Sequence, residues 1–143
     1  MKLTIQPKPF GYTGTQLADI LQNHHIYVEF ADPDFAVMMP SPMQSAADLQ
    51  HVTDVLCCIP RQSPVTEQTP QFPHEHHQAM PLSEILFAPT EILPVEDCLN
   101  RICAEFSVSC PPAVPIVLCG ERITADAIRC MQYYGITQCS VIQ

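Results

Sequence analysis

Apolar positions in this chain fall in short runs separated by proline, a pattern of brief strands and short amphipathic helices. Lys2–Ile5 reads as a strand that stops before Pro7 and Pro9, which withdraw backbone donors. Gly11-Tyr12-Thr13-Gly14 is a turn. Thr13 with Gln16 then forms a capping box, opening a helix to about Asn23 with Leu17, Ile20 and Leu21 on one face. Ile26–Ala31 and Phe35–Met39 read as strands paired antiparallel across Asp32-Pro33-Asp34, where Asp bonds its own backbone and Pro presets φ. Ser41-Pro42-Met43-Gln44 has the form of a helix start, with a cap, an N1 proline and a Gln at N3. That helix is expected from about Pro42 to Cys57, burying Ala46, Leu49, Val52 and Leu56.

Periodicity then lapses. Residues 61–80 are rich in proline and polar side chains and read as an exposed loop. Beyond it, Pro81–Phe87 suits a short helix and Thr90–Leu93 a strand, and Pro94 begins a helix carrying Val95, Leu99 and Ile102. Between Cys110 and Cys130 the pattern is a stiff turn (Pro111, Pro112, Pro115), an apolar strand Ile116–Cys119, a Gly120-Glu121 turn and a helix capped by Thr124. Gly135 follows that helix at C′, and Ile136–Ile142 closes the chain as a strand. The fold class expected is α+β. Two small lobes of mixed strands and helices, about 1–60 and 81–143, are joined by the proline-rich loop within one domain, 1–143.

Composition narrows the function. Fifteen acidic against six basic residues, net −9, argue against nucleic acid and anionic membrane as partners; they are compatible with a cationic small molecule, but plain solubility explains the same charge. No apolar run approaches the ~18 residues a membrane helix needs, and MKLTIQPKPF has no leader-like apolar core, so a cytoplasmic setting is expected. The eight cysteines include no C-x-x-C pair, and most lie within apolar patterns, as reduced, buried thiols do. Four glycines form no phosphate-cradling loop.

His74-Glu75-His76-His77 is the most conspicuous polar cluster, but it lacks helical i, i+4 spacing and cysteine partners. A solvated loop is the expectation, with His74, His76 and His77 as weak metal candidates. His24 and His25, after a helix end, and His51, mid-helix, read as structural. No serine lies in a G-x-S-x-G context, and Glu96-Asp97 and Asp32/Asp34 are explained by a helical first turn and an Asx turn.

Several segments together resemble the C-terminal domain of the bacterial Orn/Lys/Arg decarboxylases, a pyridoxal-phosphate-dependent family. KLTI, GYTG, LADIL and IYVEFADPDFAVMMPSP follow the family's order in the first half. In the second half LPVEDCLNRICAEF is similar to the family's VPLEEAVGRISAE, matching Arg101, Ala104 and Glu105, with Asn100 for glycine and Cys103 for serine. CPPAVPIVLCGE is similar to PPG-x-P…PGE, keeping Pro111, Pro112, Pro115, Gly120 and Glu121, with Ala113 for glycine and Cys119 for proline.

The resemblance implies a non-catalytic accessory domain. The catalytic lysine motif and cofactor site belong to a large N-terminal domain, and this chain's lysines are Lys2 and Lys8 alone. It implies packing against that catalytic domain in a homo-oligomer, with Glu121, Gly120, Arg101 and Glu105 at the substrate approach. Glu121 has two readings: a carboxylate facing the approach, or a charge complementing a helix N-terminus. For Arg101 and Glu105 the alternative is an intradomain ion pair or hydrogen bond. A chain that matches from mid-family onward implies a piece of a larger enzyme or a split gene. A free-standing polyamine-binding or regulatory module is the alternative function.

Overall fold

In the computed structural model α1, Gly14–Asn23, begins with the expected box: Thr13 Oγ1 accepts from Gln16 N at 3.1 Å and Gln16 Oε1 accepts from Thr13 N at 2.9 Å. The structure describes residues 2–73, 77–106, 108–110 and 114–143, with 109 and 110 described through their backbone. Pro111, Pro112 and Ala113 of the proline turn, and His74, Glu75 and His76, lie outside the described residues. Residue contacts divide the chain into two units, Met1–Glu67 and Gln68–Gln143.

In the first unit β1, Leu3–Ile5, and β2, Phe30–Ala31, both pair antiparallel with β3, Ala36–Met38, in the order β1-β3-β2. The hairpin turn is the predicted one, as Asp32 Oδ1 accepts from Asp34 N at 2.7 Å and from Phe35 N at 2.6 Å. α1 lays Leu17 and Leu21 against Ile26, Ala36 and Met38 to form the core.

α1 ends in a Schellman motif, Ile26 N donating to Leu21 O and His25 N to Gln22 O. The left-handed C′ position, φ +61°, is held by His25, where a glycine would avoid about 1 kcal/mol of strain. The helix predicted from Pro42 starts four residues later, as α2, Ala46–Cys58. Ser41 Oγ and O instead accept from Met43 N and Gln44 N to make a turn. The capping box belongs to Ser45 and Asp48: Asp48 N donates to Ser45 Oγ, and Asp48 Oδ2 accepts from Ser45 N and Oγ, both at 2.8 Å. A carboxylate at N3 is a stronger acceptor than the Gln44 amide and complements the helix dipole. Because α2 is shifted, Ala46 and Leu49 are exposed, Val52 and Leu56 half-buried, and Val55 is its buried residue.

Residues 60–67 are not a free connector. Gln62 N and Val65 N donate to Phe10 O and Lys8 O at 3.0 Å, and Tyr12 Oη donates to Pro60 O at 2.7 Å. Lys8 is buried. Its Nζ lies 2.6 Å from Asp34 Oδ1 and 2.8 Å from Glu67 O.

The second unit is built from α3 (Leu82–Ile85), β4 (Thr90–Pro94), β5 (Val108–Cys110), β6 (Val114–Val117), α4 (Ala125–Tyr133) and β7 (Gln138–Ile142). β4 pairs antiparallel with β7, Thr90 opposite Ile142, and β5 with β6. Of the predicted run Ile116–Cys119, Ile116 and Val117 are buried, whereas Leu118 is 45% exposed past the strand end. Thr124 caps α4 by accepting from Ala127 N, and Gly135 at φ +76° closes it in the same Schellman arrangement as α1.

The predicted helix after Pro94 is a 3-10 turn, Val95–Asp97. Val95 N donates to Thr137 O, extending the β4–β7 ladder, and Asn100 turns left-handed at φ +64°. Residues 101–104 then run extended, bridging to 121–123 and 140–142. Tertiary pairing overrides helical periodicity there.

Removing Lys8 leaves Asp34 buried without its cation. Lys8→Met should lower the first unit's stability by about 3–5 kcal/mol, with partial recovery in Lys8→Met/Asp34→Leu. Ser45→Ala should cost about 1 kcal/mol. Urea unfolding followed through α1 and α2 amide signals measures all three.

Candidate functional site

Gly120 sits in a left-handed turn, φ +90°, that no other residue type takes without strain. A Cβ there would crowd Met80 O and stand 2.9 Å from Ile85 Cδ1. Its N–H donates to Cys103 O at 2.8 Å, and its carbonyl accepts from Ala79 N at 2.8 Å and Met80 N at 3.1 Å. Residues 77–80, read from sequence as exposed loop, therefore form the outer rung on this turn, with Gln78 bridged to Glu121 and Arg122 N donating to His77 O.

Glu121 is 6% exposed and its carboxylate is turned inward, Oε2 accepting from Leu118 N at 2.8 Å. Its backbone accepts from Cys103 N at 2.9 Å. The helix-dipole reading does not describe it, because α4 starts at Ala125 under its own Thr124 cap. Glu105 acts in the same way on the opposite side of the Cys103 segment, Oε2 accepting from Ser140 N at 2.7 Å. Arg101 reaches Glu91 Oε1 at 2.5 Å and Ile142 O at 2.6 Å, the intradomain ion pair the sequence offered as its alternative role. Gly120, Glu121, Arg101 and Glu105 thus meet in one place. Each satisfies backbone of the short segments 101–105, 118–122 and 138–142, whose own ladders are too irregular to do so.

Sequence reasoning missed Cys103 as the hub of this arrangement. Its N–H and C=O are both bonded to the Gly120-Glu121 turn, and its side chain is fully buried beside Cys139 and Val141. Burial pushes the Cys98 thiol up, with Asp97 adding to it. The Cys139 thiol is pushed up by its hydrogen bond with Cys103 and then by burial. These are inert structural thiols.

The cofactor implied by the resemblance does not fit the residues present. Lys8, the buried lysine, is held by Asp34 and Glu67, and Lys2 pairs with Glu29 at 3.1 Å on the surface. Neither is free in a cavity for a Schiff base, so no decarboxylation step runs through them. Among the described residues no group of three or more His, Cys, Asp or Glu is placed to hold a metal. No described helix is long and apolar enough to cross a membrane.

Two outcomes follow from this geometry. Glu121→Ala should destabilise the second unit by about 1–3 kcal/mol, the cost of an unmet buried donor, and Gly120→Ala by more, read as loss of amide protection in β7. Thiol alkylation of the folded chain, mapped by mass spectrometry, should label exposed Cys57 and Cys58 at once, and Cys98, Cys103, Cys130 and Cys139 only after unfolding.

Comparison with known proteins completes the picture. Residues 62–140 match the family model for the Orn/Lys/Arg decarboxylase C-terminal domain. An arginine decarboxylase of Bacillus subtilis (strain 168) is 31% identical over 133 residues, covering 89% of this chain and 27% of that protein. One from Halalkalibacterium halodurans is 31% identical over 132 residues, covering 86% of this chain and 26% of its own length. The chain thus spans about a quarter of the curated relatives it matches. The solved constitutive lysine decarboxylase of E. coli superposes with a TM-score of 0.63 at 13% identity, over 99% of this chain and 31% of that one, which establishes a shared fold. With the family model covering more than half of its residues, this chain belongs to the Orn/Lys/Arg decarboxylase C-terminal domain family.

Proposed function

We propose that this chain serves as the non-catalytic accessory domain of a pyridoxal-phosphate-dependent decarboxylase of arginine, lysine or ornithine. It packs against the catalytic domain within a homo-oligomeric cytoplasmic enzyme and shapes the approach to its active site. The observation that carries the reading beyond family membership is an apolar surface on the second unit. Leu82 in α3, Leu86 and Phe87 just after it, and Ile92 in β4 are 46, 58, 90 and 70% exposed. Four large apolar side chains left exposed within eleven residues of sequence suit a protein partner.

In this reading Gly120, Glu121, Arg101 and Glu105 influence substrate approach indirectly. They fix the 118–122 turn and the 101–105 segment, and Leu118, 45% exposed, is what that turn presents outward. A buried carboxylate already accepting from Leu118 N is poorly disposed to attract a cationic substrate directly. The isolated chain catalyses no decarboxylation, since its lysines are committed elsewhere.

The test is reconstitution. The Bacillus subtilis arginine decarboxylase, made without the region this chain matches, should bind the chain and release amine from arginine with pyridoxal phosphate only in the mixture. Phe87→Asp should weaken that association by about tenfold or more while leaving the circular dichroism of the chain unchanged, because the side chain is 90% exposed. Parts that neither bind nor regain activity would remove the reading.

A further inference from the structure

We propose that the first unit binds a small monocarboxylate with an apolar body in the cavity lined by β1, the 7–12 turn, α1 and the end of α2, with Arg61 holding the carboxylate. The cavity holds about 340 Å³, and its walls are apolar, Ile5, Leu17, Leu56 and Ile59 among them. Small-molecule sites share that form, an apolar cavity with few polar groups. Tyr12 and Arg61 are the lining residues with polar side chains. Tyr12 Oη is already engaged, donating to Pro60 O at 2.7 Å and accepting from Gln62 Nε2 at 3.0 Å. Arg61 is therefore the polar side chain that a ligand would meet. No acidic residue lines the cavity, so the charge facing a ligand there is opposite in sign to the chain's net −9.

The Arg61 guanidinium lies 5.2 Å from the centre of the Phe10 ring, a cation–π position. Among the described residues it makes no ion pair and no hydrogen bond. The other five cations are all engaged. Lys2, Lys8, Arg101 and Arg129 pair with Glu29, Asp34, Glu91 and Asp126, and Arg122 donates to Asn100 O. In a chain with fifteen acidic and six basic residues, carboxylates are in excess. A guanidinium left without one keeps its fork of donors open to a carboxylate from outside.

The backbone around Arg61 supplies an independent argument, because it is anchored on both sides. Pro60 O accepts from Tyr12 Oη, and Gln62 N donates to Phe10 O at 3.0 Å. Gly11, at φ +94°, permits this approach, since a Cβ there would stand 2.5 Å from Gln62 Cβ and 2.7 Å from Ser63 O. The segment that carries the cation is thus ordered before any ligand arrives, which removes part of the cost of binding. One cationic fork at an apolar cavity suits a hydrocarbon body with a single carboxylate. A second charge on the ligand would find no partner there. The proposal rests on the first unit alone and holds whether or not a catalytic domain docks on the second.

Titration of the ¹⁵N-labelled full chain with octanoate below its micellar range, followed by amide shifts, tests it, with octan-1-ol, butanoate and octylamine as comparisons. Octanoate should saturate, with shifts at 3–12, 17 and 56–62. It should bind about tenfold more tightly than octan-1-ol, which lacks the charge, and at least about tenfold more tightly than butanoate, which buries less hydrocarbon. Arg61→Gln should weaken octanoate by about tenfold and leave the octan-1-ol shifts unchanged, which separates lost charge from lost folding. Ile59→Trp, which fills the cavity, should abolish the shifts from both. Failure of octanoate to saturate, equal binding of octanoate and octan-1-ol, octylamine binding at these amides as tightly as octanoate, or undiminished octanoate binding in Arg61→Gln would each overturn the site.

Discussion

The second unit depends on the hydrogen bonds that converge on the Gly120-Glu121 turn. Its regular elements are too short to satisfy their own backbone groups, and an unmet buried N–H or C=O costs as much as a lost hydrogen bond. The turn solves this by bonding Cys103 on one side and Ala79 and Met80 on the other. Glu121 and Glu105 then reach the amides of Leu118 and Ser140 with side-chain oxygens. Buried carboxylates here perform the work that a longer sheet would do with carbonyls. Removing either would expose a donor, not merely lose a charge.

The chemistry that a catalytic assignment would require is engaged in holding structure. Lys8 neutralises Asp34, Arg101 ties Glu91 to the end of β7, and the buried thiols fill the second unit's core. Family membership and fold therefore establish the kind of domain, and the exposed apolar residues in 82–92 are what the proposed accessory role rests on.

Local rules written in the sequence were readable where they met no competitor. Thr13 with Gln16, Thr124, Gly135 and the Asp32 turn all appear as their side-chain chemistry dictates. Errors arose where two local signals competed or where tertiary pairing won. Ser41 and Ser45 each head a capping pattern four residues apart, and the anionic Asp48 decides for the second. The stretch after Pro94 has helical spacing, yet 101–104 is drawn into bridges with 121–123 and 140–142, partners far along the chain that no window reveals. Among the site residues, the grouping of Gly120, Glu121, Arg101 and Glu105 was legible only through family resemblance. Their inward orientation was not, because a glutamate's sequence neighbours do not disclose an unmet amide three residues back.

The first unit closes on itself. Residues 8–12 at its start are bonded to 60–67 at its end, through Lys8, Phe10 and Tyr12. A chain emerging from the ribosome can therefore complete this unit only when Glu67 has cleared the exit tunnel, whatever has formed earlier. Once it has, the Lys8 ammonium can close against Asp34 and Glu67 while the second unit has still to emerge. Vectorial synthesis thus lets the first unit complete its core without waiting for any residue of the second.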